Sequence, residues 1–324
     1  MRRICVIGGG AIGSLTAAHL ARVSEVWLLT RRAEHARRIE DVGLRVTGKS
    51  DFVARPHAVD SPTLIPRFDV GIFATKATQL PLAAAALEGH SPNAAMMTMQ
   101  NGLGAEEIVR RHGPWPLISA VTFMSGTRHS DVHVDYELDT TTWLGPYAPT
   151  GTSTALAREV GALFSEGGLE AEVMDDLRGA QWSKLIFNAA VNGVSALTGL
   201  PHVQQFAAEE NPEDLGHLVR AVVEEGRAVA AAAGITLRDD PWEMNCLAVE
   251  RGRSSAGEYA HVPSMLEDMR AKRPSEIDAI CGALVREGRE RDVPTPLMTA
   301  IYQLIKGKES AWERLDAPEK APTG

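Results

Sequence analysis

Short runs dense in Val, Ile, Leu and Met recur through the first half of the chain, at residues 4–7, 25–30, 69–75, 95–100 and 117–121. They lack the strict alternation of a half-solvated strand, which is the pattern of a parallel strand covered on both faces. Helical periodicity fills intervals between them, at 11–22, 80–87 and 104–111. Alternating strand and helix units predict an α/β Rossmann-type doubly wound parallel sheet. Residues 131–145, DVHVDYELDTTTWLG, alternate β-branched, aromatic and polar positions and predict a hairpin appended to that sheet. A helix over 153–165 and a short strand over 169–174 complete this part.

Beyond residue 175 the strand pattern stops. Ala-, Leu- and Glu-rich helical segments follow at 178–198, 212–233, 241–250, 276–291 and 296–306, separated by GLPH, AAGI, KRP and VPTP. The predicted organisation is a nucleotide-binding domain over 1–175 and an all-helical C-terminal domain over 176–324. The polar, Pro-rich tail DAPEKAPTG is expected to fray.

The remaining composition narrows the function. At 44% apolar and 23% charged, the 324 residues are ordinary for a globular chain. A net charge of −9 argues against nucleic acid as a partner, which demands a basic face. No apolar window is long enough for a membrane span, and RRICVIGGG is too short and too Gly-broken for a signal peptide, so cytoplasmic residence is the expectation. Cys5, Cys246 and Cys281 have no metal-ligand spacing and read as structural thiols. The histidines offer no metal pattern; His129 and His133 stand four apart in a strand-like stretch, so no metal is expected.

The first strand runs into Gly8-Gly9-Gly10-Ala11-Ile12-Gly13, a G-x-G-x-x-G turn that opens a helix. The first glycine allows the tight turn, the second lets backbone approach a pyrophosphate, and the third lets helix and strand pack closely. The helix start adds free N–H groups and a positive dipole end. At the end of the second strand, where an NAD site carries an acid, stand Thr30-Arg31-Arg32. A guanidinium grips a 2′-phosphate and a carboxylate repels it, so NADP(H) is the expected dinucleotide. The plain alternative is a solvated arginine pair opening the next helix. Lys76 and the Gln100-Asn101-Gly102 turn fall at further strand ends, where α/β sheets bind ligands, although Asn-Gly also serves simple turns.

Residues 181–192, QWSKLIFNAAVN, place Lys184, Asn188 and Asn192 at intervals of four in an apolar helical run. Asparagine is a poor helix former, so two of them one turn apart need a reason. By periodicity alone, Gln181, Lys184, Asn188, Asn192 and Ser195 form the polar stripe of an amphipathic helix facing solvent.

With GGGAIG, TKATQ, MQNGLG, the W-x-K-L-x-x-N-x-x-x-N run at 182–192, PSMLEDMRAKRPSEID at 263–278 and GKES at 307–310, the chain resembles the ketopantoate reductase (2-dehydropantoate 2-reductase) family over nearly its whole length. The resemblance implies a Rossmann domain, a helical domain and a cleft between them. It implies NADPH-dependent reduction of 2-dehydropantoate to (R)-pantoate, a step toward pantothenate and coenzyme A. It further implies Lys184 as the catalytic lysine and general acid, with Glu276 facing the reacting centre and the cofactor. Asn101, Asn188 and Asn192 would line the substrate site, and Ser264 would bind the substrate carboxylate. Lys76, Asn101 and Ser125 would contact NADPH, with Arg31 on its 2′-phosphate.

The chain departs from the family pattern at Pro263-Ser264, where a Ser-Ser pair is common, and at 135–138, where a glycine-rich turn is common. Both bear on the substrate more than on the reaction, and another branched 2-keto acid stays open. Other readings are a β-hydroxyacid dehydrogenase, which usually has a Gly-rich segment before its lysine, and a non-catalytic NADP(H) sensor. For Glu276 the bland reading is a solvated salt bridge to Arg270, Lys272 or Arg273; for Ser264 it is an N-cap with Glu267 completing a capping box. An Ala/Val/Leu-rich helical domain would support a homodimer.

Overall fold

The computed structural model describes residues 2–254 and 261–315. The chain folds as two compact units, Met1–Leu177 and Arg178–Gly324. The 316–324 tail lies outside the described residues.

In chain order the first unit contains β1 (Arg3–Ile7), α1 (Ala11–Leu20), β2 (Glu25–Leu29), α2 (Ala33–Val42), β3 (Leu44–Gly48), β4 (Phe52–Ala54), β5 (His57–Val59), β6 (Val70–Phe73), α3 (Leu80–Ala85), β7 (Ala95–Thr98), α4 (Ala105–Val109), β8 (Leu117–Val121), β9 (Ser125–Ser130), β10 (His133–Leu138), β11 (Thr142–Pro146), α5 (Thr154–Gly167) and β12 (Ala171–Val173). The main sheet runs β12-β11-β8-β7-β6-β1-β2-β5, parallel except where β11 pairs antiparallel with β8. From β5 to β8 this is the Rossmann strand order, which reverses direction between β1 and β6. Alternate strand residues feed two cores. Ile4, Val6, Ile72 and Met97 pack with Leu15 of α1 and Val160 and Phe164 of α5. Cys5, Ile7, Phe73 and Met96 pack with Leu80 of α3, Val109 of α4 and Trp115.

The segment between β2 and β6 carries more structure than its pattern suggests: α2 and three short strands. Of these, β5 extends the main sheet beside β2, while β3 and β4 belong to a second sheet ordered β4-β3-β10-β9. The 131–145 stretch is therefore not one hairpin on the main sheet. β10 pairs antiparallel with β9 and parallel with β3, whereas β11 joins β8 in the main sheet. The second sheet packs over α1. Covered on both sides, α1 is buried continuously from Gly13 to Leu20 and loses amphipathic character.

The second unit is helical: α6 (Arg178–Thr198), α7 (Leu215–Ala232), α8 (Pro241–Ser254), α9 (Ser264–Arg270), α10 (Cys281–Glu290) and α11 (Pro296–Leu315). Its only extended pairing among the described residues is an isolated bridge between His202 and His261. α6 is the central helix and packs against all the other helices of the unit. Close approach requires small residues: a Cβ on Gly226 would meet Ile186 Cγ2 at 2.6 Å, and one on Gly193 would meet Ile301 Cγ2 at 2.6 Å. α10 begins at Cys281, five residues later than its periodicity suggests, and Glu276 sits in the turn before it. α11 runs to Leu315, nine residues beyond the apolar pattern that ends at 306, so GKES is helical.

Among the described residues, no helix is long and apolar enough to cross a membrane. Nor is there a group of three or more His, Cys, Asp or Glu side chains that could hold a metal ion.

Candidate active site

The first unit brings its glycine turn and several polar strand-end residues together at the carboxyl ends of β1, β2, β6 and β7. Gly8 adopts φ +115, and a Cβ there would meet Thr75 N at 2.9 Å, so only glycine turns the chain this tightly beside β6. A Cβ on Gly13 would fall 1.8 Å from Gly8 O. Gly10 is different: nothing lies within 4 Å of where its Cβ would stand. Space kept free at the start of α1, next to Ala11 and Ile12, suits an anionic group held by backbone N–H groups. Nearby polar atoms favour a ligand as well. Gln100 Nε2 donates to Phe73 O at 3.0 Å and Thr75 O at 2.9 Å, tying the ends of β6 and β7 together. Gln100 Oε1 and Thr75 Oγ1 are buried and bond to nothing in the protein, an arrangement rare in folded interiors. These residues therefore fit a dinucleotide. Lys76, directly after Thr75, and Asn101, directly after Gln100, are both half-buried at this edge.

At the end of β2 the arginine pair divides. Arg31 is exposed. Arg32, which precedes α2, is ion-paired with Asp131 from the β9–β10 turn. Arg128 donates to the same carboxylate at 2.9 Å, and Arg38 stands 3.7 Å from it. Burial pushes the Asp131 carboxyl up, but His35, Arg32 and Arg128 outweigh it and hold it below the usual range. His35 is buried, with Nε2 at 2.9 Å from Asp131 O, and its ring fills the place a Gly9 Cβ would take. This Asp131–His35 brace was not legible in the sequence, because its partners stand about a hundred residues apart. Ser125 begins β9, half-buried, and its neighbour Gly126 packs against Leu15 of α1.

In the second unit the opening turns of α6 carry Lys184. It is half-buried, and burial pulls its ammonium down to about 8 while the charge of Glu276 acts in the opposite sense. Asn188 and Asn192 are each 7% exposed and Ser195 is fully covered, so the polar stripe of α6 does not face solvent. Ser183 is spoken for, donating to Gly179 O at 2.9 Å and Asp239 O at 2.8 Å.

Glu276 is 8% exposed, which removes the solvated salt-bridge reading. Arg273 donates instead to Asp268 at 3.1 Å, and Arg270 to Gly199 O at 3.3 Å. Ser264 is the first residue of α9 rather than its cap. Pro263 takes the N-cap position without a side-chain hydrogen bond, so no capping box forms and the Ser264 hydroxyl is exposed. Cys281 is buried against Ala189 O and its thiol is pushed up to about 12, which makes it inert as a nucleophile.

The sequence models described as "Ketopantoate reductase PanE/ApbA" and "Ketopantoate reductase PanE/ApbA C terminal" match residues 4–149 and 176–309. A 2-dehydropantoate 2-reductase of Halobacterium salinarum is 30% identical over 94% of this chain and 98% of its own length. A PanE/ApbA family ketopantoate reductase structure from Ralstonia eutropha superposes with TM-score 0.83 at 28% identity, covering 96% of this chain and 99% of that one. A D-mandelate dehydrogenase, solved with NADH and anilino(oxo)acetate, shares the fold equally, with TM-score 0.83 at 24% identity over 95% and 99% of the two chains.

Proposed function

The chain belongs to the ketopantoate reductase family and is an oxidoreductase, and on that premise we propose that it reduces the ketone of 2-dehydropantoate to (R)-pantoate with NADPH. The observation that carries this reading is Lys184: a half-buried amine on α6, made easier to deprotonate by burial and supported in its charged form by Glu276. A nicotinamide dinucleotide held at the glycine turn would supply the hydride for the ketone carbon. Lys184 hydrogen-bonds the ketone oxygen, stabilises the charge that develops there, and gives it a proton. Asn188 and Asn192, on the same face of α6, donate from their amides to substrate oxygens without adding a charge that would shift Lys184. Glu276 orients the product hydroxyl, and Ser264 and Asn101 contribute to the substrate carboxylate and hydroxyl contacts. Gly8 to Gly13 would hold the pyrophosphate, Lys76, Asn101, Ser125 and Glu276 would contact the cofactor, and Arg31 would meet the 2′-phosphate.

The direct test is NADPH oxidation across a panel of branched 2-keto acids, with NADH as the control. The reading expects 2-dehydropantoate to give the highest kcat/KM, and absence of turnover with it would remove the narrow assignment. Because the D-mandelate dehydrogenase shares the fold so closely, the fold does not select among 2-keto acids, and Pro263-Ser264 is the local feature that favours a different acid should the panel select one.

Arg31→Ala is expected to raise the KM for NADPH by about tenfold or more while leaving that for NADH unchanged, since a charge-assisted contact to phosphate is worth roughly 1.5–3 kcal/mol. Equal losses with both cofactors would show that Arg31 does not read the phosphate.

The pH dependence follows from Lys184. Its amine is protonated below about 8 and neutral above, so reductive kcat/KM falls as pH rises through about 8. Oxidation of the product needs the neutral amine as base, so it rises over the same window. Opposite limbs at a common pH are the signature; a reductive rate that stays flat to pH 10 contradicts the assignment.

A further inference from the structure

The GKES segment has no part in the chemistry above, yet its helix grips the turn that carries Glu276. Glu309 Oε1 accepts two hydrogen bonds from Ser275, from the backbone N–H at 2.8 Å and from the hydroxyl at 2.6 Å. The Ser275 hydroxyl in turn accepts from Ile277 N at 3.3 Å, so the residues on either side of Glu276 are tied through one hydroxyl. Two further residues of α11 hold the same turn from its other end. Tyr302 donates to Asp278 Oδ1 at 2.7 Å and Lys306 Nζ to Asp278 Oδ2 at 2.9 Å. Lys306 also stands 3.5 Å from Glu309. Tyr302, Lys306 and Glu309 are spaced by four and three, which puts them on one face of α11. Ser275 is 1% exposed and the Glu309 side chain 10%, so the contact is shielded from solvent and its loss leaves buried donors unpaired.

We propose that Glu309 is a positioning residue: through Ser275 it fixes the backbone of Glu276, and thereby the carboxylate that acts on Lys184. The proposal rests on the reading of Lys184 as the proton donor. The charged groups of the network are Lys184, Glu276, Asp278, Lys306, Glu309 and Arg286 of α10, which donates to Asp278 O at 3.0 Å. Spacing alone could not reveal the link, because Ser275 and Glu309 are thirty-four residues apart and join across two helices.

The test compares Glu309→Ala with Glu309→Gln in the full chain, reading kcat, KM for NADPH and the pH–rate profile, with thermal midpoints as controls. A glutamine oxygen can still accept both Ser275 donors; alanine cannot. Glu309→Ala is expected to lower kcat by about ten- to a hundredfold, the scale set by a small misplacement of a catalytic group, with the KM for NADPH unchanged. Its alkaline limb should move to lower pH, because a displaced Glu276 supports the protonated amine less. Glu309→Gln should keep most of the activity and the limb. If Glu309→Ala does not fold, Ser275→Ala, which removes only the bridging hydroxyl, is expected to move the limb in the same sense. A fall in stability with kcat and the limb unmoved in the variants that fold overturns the proposal. A Lys184→Ala enzyme that still turns over would instead overturn the reading beneath it.

Discussion

Lys184→Ala is expected to lower kcat for ketone reduction by about 10²- to 10⁴-fold, the span that a positioned general acid contributes, with the KM for NADPH essentially unchanged. The argument is one of charge and place. Hydride arrival leaves negative charge on an oxygen, and Lys184 is the half-buried cation that Glu276 supports on α6. Removing it leaves the oxygen to be protonated by water.

Stability should move the other way. The folded amine titrates near 8 and the unfolded one near 10.5, so the desolvation penalty is present in full below about 8 and is relieved as pH rises toward 10.5. An apolar replacement of similar shape, Lys184→Met, is therefore expected to stabilise the fold by about 1–2 kcal/mol at neutral pH, reduced by whatever Glu276 loses with its cation. Lys184→Arg should not restore activity, because a guanidinium neither titrates in this range nor fits an ammonium's place. A variant that is inactive yet more stable marks a residue retained for chemistry. Equal loss of stability and activity would make Lys184 a structural residue.

The second large effect concerns the glycine turn. Gly13→Ala is expected to cost roughly 3 kcal/mol or more of stability, and to reduce dinucleotide affinity at least a hundredfold. The new Cβ would stand 1.8 Å from Gly8 O. Gly8 cannot yield cheaply, because its φ of +115 belongs to glycine and its other side is pressed against Thr75 N and Ala74. The clash is thus passed into β6. Gly10→Ala provides the contrast. With nothing within 4 Å of the added carbon, it should fold with a thermal midpoint close to that of the parent and still bind NADPH poorly. Isothermal titration with NADPH, beside thermal unfolding, reads both. Unimpaired NADPH binding by Gly10→Ala would mean that this backbone does not approach the pyrophosphate.

How far the chain could be read without its structure depends on the range of the force involved. β1, β2, β6, β7 and β8 were legible because burial on both faces leaves a local mark, an apolar run. The glycine turn was legible because steric need for glycine is local to the glycine. Residues 33–59 were not, since short strands with mixed polarity become strands only when a partner supplies hydrogen bonds: β5 from β2, β3 from β10. The 131–145 stretch has strand periodicity, but periodicity does not say which sheet a strand will join. Glu276 was expected in a helix and lies in a turn, and Ser264 yields the cap position to Pro263.

The sequence by itself determined the Rossmann sheet, the helical second unit and the glycine turn, because these follow from side-chain size, polarity and period along a few consecutive residues. Only the tertiary structure decided that the stripe of Lys184, Asn188 and Asn192 faces inward. A polar row at helical spacing looks the same whether water or protein covers it, and on α6 Asn188 and Asn192 are covered. The same holds for Asp131 against Arg32 and for Glu309 against Ser275. Each is a pairing across tens of residues, stabilised by burial that no segment creates alone.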